Sequence, residues 1–81
     1  AQECDWVRAQ NGRVPAGAVQ GGHEADGTPL YVARARYMGG VHPGKIRKGF
    51  GGAHITFAGK EVEVSDYEVL VGDLSQAGTG E

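Results

Sequence analysis

The segment Leu30–Tyr37, LYVARARY, decides the fold because its residue types alternate along its whole length. Leucine, valine and two arginines occupy one set of alternate positions, and two tyrosines and two alanines occupy the other. A period of two residues is that of a β-strand, whose successive side chains point to opposite faces. The pattern therefore predicts a half-buried strand that turns its small-and-aromatic face toward the core.

Glycine-rich turns separate this strand from shorter apolar segments on either side. Fifteen of the 81 residues are glycine, and helical periodicity is nearly absent. Further short strands or extended segments are predicted at Asp5–Ala9, Ala16–Val19, Lys45–Lys48, Ala53–Phe57, Glu61–Ser65 and Tyr67–Val71. Turns are predicted at Asn11-Gly12, Pro15, Gly21-Gly22, Asp26-Gly27, Gly39-Gly40, Pro43-Gly44 and Ala58-Gly59-Lys60. We expect an all-β protein, a small antiparallel β-sandwich or sheet of about seven short strands.

The length of the chain predicts one domain over residues 1–81, with a core from 5 to 72 and frayed ends at 2–4 and 75–81. Trp6 is the favoured centre of its thin core, and a sugar-stacking platform is the alternative for Trp6 and for Tyr31. Cys4 is the single cysteine, which excludes an intrachain disulfide and slightly favours the cytoplasm over secretion. Any extra stability is expected to come from oligomerisation.

Composition and motifs argue against several functional classes. A net charge of −2 and a pI near 5.9 do not suggest a nucleic-acid partner. No apolar run approaches the roughly 18 residues of a membrane span, and no signal-peptide hydrophobic region is present. The three histidines, His23, His42 and His54, stand in separate segments, and no serine or cysteine has a partner base at a convincing position. We expect neither an enzyme nor a cofactor or metal.

One loop carries the residues best suited to a ligand. In GHEADG, residues 22–27, the carboxylates of Glu24 and Asp26 lie between glycines, and they could accept hydrogen bonds from the paired hydroxyls of a sugar. Lys45, at the Pro43-Gly44 corner, could donate to the hydroxyl oxygens. The residues alone favour the simpler interpretation, an Asp-Gly turn beside a solvated glutamate. Arg34 is either solvated or pairs with Glu24 to orient it.

An ordered series of motifs extends over most of the chain, from Trp6 to Val71. With these motifs the chain resembles the DM-nine domain family, small β modules found in invertebrate lectins and beside some pore-forming toxins. The motifs are Trp6-Val7, Val14–Val19, Gly22-His23-Glu24, Asp26-Gly27, Leu30-Tyr31-Val32, Arg34-Ala35, Pro43-Gly44-Lys45, Gly59-Lys60-Glu61 and Tyr67–Leu70.

The resemblance implies a calcium-independent lectin for mannose or mannose-containing glycans. In the family the sugar is held by an acidic residue and a lysine, which match Glu24 and Lys45 here. The acidic residue is often aspartate in the family, and Glu24 is one methylene longer. The remaining candidates shape or support the binding loop: Gly22, His23, Asp26 and Arg34.

The resemblance also has consequences for assembly. Family proteins usually carry two tandem repeats that complete one another, whereas this chain carries one. A second copy would then complete it, giving a homodimer that exchange of strands could form. The alternative function is a protein-interaction or targeting module that binds no sugar.

Overall fold

The computed structural model describes residues 3–72, which contain seven strands joined by turns and loops, and no helix. They form one antiparallel sheet in the order β1-β7-β3-β4-β5-β6, with β2 paired to β3 outside this path. Their bounds are β1 Cys4–Gln10, β2 Gln20–His23, β3 Pro29–Tyr37, β4 Gly40–Ile46, β5 Ala53–Phe57, β6 Lys60–Val64 and β7 Asp66–Gly72. The predicted all-β class is confirmed, in the form of a sheet.

Only part of the predicted frayed ends lies within the described residues, and Cys4 is not frayed. Residues 2 and 75–81 lie outside the described part of the chain, whereas Cys4 belongs to β1 and lies opposite Gly72 of β7. Among residues 3–72, no helix is long and apolar enough to cross a bilayer.

Strand β3 lies at the centre of the sheet and has the two faces that its sequence predicts. Ala33 and Ala35 are 1% and 3% exposed, while Arg36 on the opposite face is exposed. Directly opposed residues of antiparallel strands share a face. Ala33 lies opposite Gly44 of β4 and Val69 of β7, so these two residues are on the core side as well. The buried apolar residues are Ala33, Ala35, Ile46, Ala53, Ile55, Tyr67 and Val69.

The sheet curls around this core because of one short connection. Ser65 alone joins β6 to β7, although these strands stand at separate places in the sheet. The Asn11 amide donates to the Ser65 carbonyl at 3.0 Å and holds the end of β1 against the same corner. A sheet with its two distant strands joined by one residue must bend back on itself, which covers its inner face.

Two predicted turns lie inside strands, and close packing explains the glycine of the second. Gly21-Gly22 belongs to β2 and Pro43-Gly44 to β4. A side chain at Gly44 would place its Cβ 2.4 Å from the His54 carbonyl oxygen of β5, so glycine is needed for the strands to approach. The pairing of β4 with β5 begins at Gly44, and Pro43 therefore stands where its missing amide hydrogen costs no bond to β5.

The predicted turn at Asn11-Gly12 is present, but it does not connect a hairpin. Both residues have positive φ, 60° and 90°, as an Asn-Gly turn requires. Strand β1 nevertheless pairs with β7 and leaves the turn to pack elsewhere: a Cβ at Gly12 would meet the Phe50 carbonyl oxygen at 2.1 Å.

Trp6 lies outside the core, contrary to the expectation that it forms the centre. It is half-buried and opposite Leu70 on the outer face of the sheet, and the Arg34 guanidinium carbon lies 4.1 Å from the centroid of its ring. The alanines of the inner face explain the difference, because the space inside the curled sheet is filled by small side chains, Ile46, Ile55, Val69 and Tyr67.

Candidate functional site

Lys45 lies on the outer face of the sheet, in β4, opposite Val32 of β3 and His54 of β5. Its Nζ is 3.5 Å from Glu61 Oε2, and both side chains are roughly half exposed. An exposed pair at this distance is weak, so the ammonium group keeps hydrogen-bond donors for other partners.

A shallow cavity of about 170 Å³ adjoins Lys45 and also borders Gly22 of the predicted loop. Nothing lies within 4 Å of the position that a Cβ at Gly22 would occupy, so the backbone there is open to a ligand. The structure thus brings together two of the predicted residues, which are distant in the sequence. The remaining lining residues are Gly21, Leu30, Tyr31, Val32 and Gly44.

The loop that follows Gly22 is held by its own hydrogen bonds. The Glu24 amide donates to the Thr28 carbonyl at 2.8 Å, and the Gly27 amide donates to the Glu24 carbonyl at 2.9 Å. The Thr28 amide also donates to Asp26 Oδ1 at 2.9 Å. Hydrogen bonds from the backbone and side chain of Thr28 lower the pKa of Asp26, and the nearby Arg47 charge lowers it further. Asp26 therefore serves this turn with one carboxylate oxygen.

Arg47, and not Arg34, is the ion partner of Glu24. The Arg47 Nε lies 2.9 Å from Glu24 Oε2, and both side chains are about one third exposed. This buried Nε makes no well-directed hydrogen bond within the described residues, so the contact is an ion pair without a linear bond. The guanidinium also lies over Phe50, 4.6 Å from the ring centroid, and Nη1 donates to the Lys48 carbonyl.

Arg47 was not predicted as a site residue, although it lies in the predicted strand Lys45–Lys48 close to the candidate Lys45 in the sequence. The alternation of β4 carried the missing signal. Arg47 follows Lys45 by two residues and comes directly after β4, so continued alternation would place the two side chains on one face. Two glutamates of β6, Glu61 and Glu63, were not predicted as site residues either. Their partners lie on other strands, and no local sequence pattern specifies which strands pair.

Both glutamates contact His54, and Glu61 contacts Lys45 as well. His54 Nδ1 lies 3.5 Å from Glu61, and its Nε2 lies 3.1 Å from Glu63. The imidazole ring stacks on Phe50 with a centroid distance of 3.8 Å and an interplanar angle of 5°. Glu61 is thus shared between Lys45 and His54, and this face alternates cationic donors with carboxylate acceptors. Such an arrangement suits a ligand rich in hydroxyl groups, which both donate and accept hydrogen bonds.

Arg34 and the other histidines occupy different surroundings. Arg34 Nε donates to Glu68 Oε1 at 2.7 Å, and its side chain borders a second, larger cavity instead of that of Lys45. His23 is exposed at the end of β2. His42 packs edge-on against Phe57, with its Nε2 2.9 Å from the Tyr37 carbonyl oxygen. Among residues 3–72, no three side chains of histidine, cysteine, aspartate or glutamate are grouped to hold a metal ion.

Comparison with known proteins relates the chain to one family. The family model described as the DM9 repeat matches residues 1–64 and, in an overlapping placement, residues 32–79. The two matches together extend over nearly the whole sequence. No curated protein matches the chain.

Proposed function

Since the chain belongs to the DM9 repeat family, we propose that it is a calcium-independent lectin for mannose or mannose-containing glycans. Members of this family are commonly carbohydrate-binding modules. One observation carries the proposal: Lys45 and Gly22 border the same shallow cavity, and Glu24, two residues after Gly22, is ion-paired with Arg47, two residues after Lys45. A cation and a carboxylate on one open surface are the two poles that adjacent sugar hydroxyls require.

Each polar group has a defined part in this proposal. Lys45 donates to two hydroxyl oxygens, because its contact with Glu61 occupies only one of three ammonium hydrogens. Glu24 accepts from a hydroxyl through lone pairs that Arg47 leaves free, and Arg47 fixes the orientation of the carboxylate. Lys45 supplies the positive charge that Ca²⁺ would otherwise bring, so no metal is needed.

The cavity accounts for a low affinity at each site. A space of about 170 Å³ covers only part of one sugar ring, and water competes well for the hydroxyl groups. Two copies of the chain would bind a branched glycan far more tightly than one, and we include a homodimer in the proposal. We also propose that binding is the whole activity, without turnover of the sugar.

The decisive experiment is a glycan array with Lys45→Ala and a matched control, Lys60→Ala. Lys60 is an exposed lysine at the start of β6 and forms no ion pair within the described residues. The native protein and Lys60→Ala are expected to bind mannose-containing glycans, with and without a chelator, whereas Lys45→Ala loses at least tenfold in affinity. The lectin proposal is wrong if no mannose-containing glycan binds the native protein more strongly than Lys45→Ala.

A second candidate, a protein-interaction module without sugar binding, is favoured by exposed apolar side chains at the β3–β4 hairpin. Met38 and Val41 are 72% and 50% exposed there. This candidate predicts that Met38→Ser with Val41→Ser removes function while Lys45→Ala leaves it intact. The comparison of those two variants in a single binding assay decides between the candidates.

A further inference from the structure

A cleft of about 720 Å³ opens where β3 and β7 separate, away from the cavity of Lys45. The two strands pair only at Ala33–Val69 and Arg34–Glu68, although β3 continues to Tyr37 and β7 begins at Asp66. Beyond the Arg34–Glu68 pair, the strand ends diverge and line the two sides of the cleft. The volume is that of sites for small organic ligands, which range from about 300 to 1,000 Å³.

Three arginines border this cleft, and two of them have no ionic partner in the part of the chain that the structure describes. Arg34 is paired with Glu68 and packed on Trp6. Arg8 and Arg36 are exposed, and neither forms an ion pair with any of residues 3–72. Two guanidinium groups with free donors therefore face one concave space. Guanidinium groups match a planar carboxylate because they donate two parallel hydrogen bonds to it.

The other lining residues restrict the kind of anion. Asp66 and Glu68 add carboxylates that accept hydrogen bonds, and Ser65 adds a hydroxyl group. Because Glu68 is paired with Arg34, the remaining Arg8, Arg36 and Asp66 leave the cleft with one net positive charge, which matches a single carboxylate better than a polyphosphate or a nucleic-acid backbone. Ala35, Val41 and Val64 contribute apolar surface, which can contact the carbon-bearing face of a sugar ring. Arginines, carboxylates and apolar side chains together match a ligand with one carboxylate on a small ring rich in hydroxyl groups.

We infer that this cleft is a second binding site, which takes an acidic sugar of the uronic acid type. Arg8 and Arg36 bind its carboxylate, and Asp66 accepts hydrogen bonds from its hydroxyl groups. The site shares no lining residue with the cavity of Lys45 and does not depend on mannose binding there. A protein with both sites would distinguish glycans that carry acidic residues from neutral ones.

The test is an NMR titration of the full chain with D-glucuronate at low salt, with D-glucose and inorganic sulfate as comparison probes. The backbone amides of Ala35, Arg36 and Asp66 are expected to shift with glucuronate and to remain unchanged with glucose. Arg36→Gln is expected to weaken glucuronate binding about tenfold, the loss of one charge-assisted contact. Arg13→Gln, the same change at an exposed arginine outside the cleft, should alter the affinity by less than about twofold.

Several results of this titration would contradict a uronic acid site. The inference is overturned if glucuronate leaves these amides unshifted, if glucose shifts them as strongly, or if sulfate binds with equal affinity. Equal losses in Arg36→Gln and Arg13→Gln would also overturn it, because they would show an effect of net charge alone. Lys45→Ala is expected to keep full glucuronate affinity, so failure of mannose binding and failure of this site give different results.

Discussion

On one face of β3 lie Ala33 and Ala35, almost fully buried, and on the other lie Arg34, ion-paired to Glu68, and the exposed Arg36. The inner face is packed with small apolar groups, which lets the sheet curl tightly. The outer face carries the ion pairs, in which each charged side chain is at least one fifth exposed. Burial provides most of the free energy of folding, whereas exposed ion pairs provide little. Stability and the proposed mannose binding therefore lie on opposite sides of the same strands.

The largest effect is expected on the inner face, at neighbouring positions of β5. Ile55 is 1% exposed, and Ile55→Ala should lower the free energy of unfolding by about 3 kcal/mol, through lost burial and the cavity left behind. Thr56→Ala, on the outer face, should change it by less than about 0.5 kcal/mol. Urea denaturation measures both. If Ile55→Ala unfolds the chain, Ile55→Val should still cost about 1 kcal/mol. Similar losses at positions 55 and 56 would contradict the contrast between the faces.

A smaller effect is expected from the polar atom of the buried Tyr67. Its hydroxyl donates to the Arg13 carbonyl at 2.7 Å, and Tyr67→Phe should cost about 1 kcal/mol at neutral pH. Burial raises the pKa of Tyr67 above its ordinary 10.0, so the unfolded chain ionises first as the pH rises. The stabilising effect of Tyr67 is then complete below pH 10.0 and declines as the pH rises through the folded pKa.

The measurement is the difference in unfolding free energy between the native protein and Tyr67→Phe, taken from pH 7 to pH 11. That difference should shrink above pH 10.0, because only the native protein carries this titrating group. Tyr31 and Tyr37 are present in both proteins and cancel. A difference that stays constant to pH 11 would show that Tyr67 has the same pKa in the folded and unfolded chain.

The smallest effects are expected among the ion pairs of the outer face, and they should differ from one another. Double-mutant cycles with glutamine should give a coupling of about 0.5 to 1 kcal/mol for Glu24 and Arg47, 2.9 Å apart and about one third exposed. The Lys45–Glu61 pair, at 3.5 Å and half exposed, should give about 0.2 kcal/mol. Both should fall with added salt. A stronger coupling for Lys45 and Glu61 would mean that Lys45 is held for structural reasons.

Much of the fold could be predicted from local pattern. Strand β5 agrees with its predicted bounds, β3 begins one residue earlier than predicted, and β7 is one residue longer at each end. The agreement is close because all three strands alternate apolar residues toward one core. Turns at Asn11-Gly12 and Ala58-Gly59 were also predictable, since asparagine and glycine tolerate the positive φ found at Asn11, Gly12 and Gly59. Ala58 has a positive φ as well, 53°, which alanine rarely adopts.

The turn predicted from Pro43-Gly44 was wrong, because long-range packing, and not a turn, requires the glycine there. Gly44 lies mid-strand because the His54 carbonyl approaches it, and nothing in the sequence near Gly44 shows that approach. The curl of the sheet likewise follows from the single-residue link at Ser65 and the register of β7. These depend on the pairing of distant segments, which a single sequence does not specify.

The candidate site divides in the same way. The loop geometry at Asp26 follows from local sequence, whereas Lys45 was predicted at a turn corner and lies within β4 instead. The partners of the charged groups do not follow from local sequence: Glu24 pairs with Arg47, and Lys45 with Glu61. Each partner is brought into place by strand pairing or by the turn after β4. The sequence therefore indicates which residues can bind a ligand better than it indicates how they are held.

The pairing of β1 with β7 has a consequence for the order in which the chain can assemble. Strand β1 is synthesised first, yet within the described residues its only partner in the sheet is the last strand. The segment before β2 also depends on β7: the Gly17 carbonyl accepts from the Gly72 amide, and the Val19 amide donates to the Leu70 carbonyl. The hairpins β3–β4 and β5–β6 can close as soon as they leave the ribosome, whereas β1 cannot. Contacts between such distant segments slow folding, and a nascent chain halted before β7 would leave β1 without its partner strand.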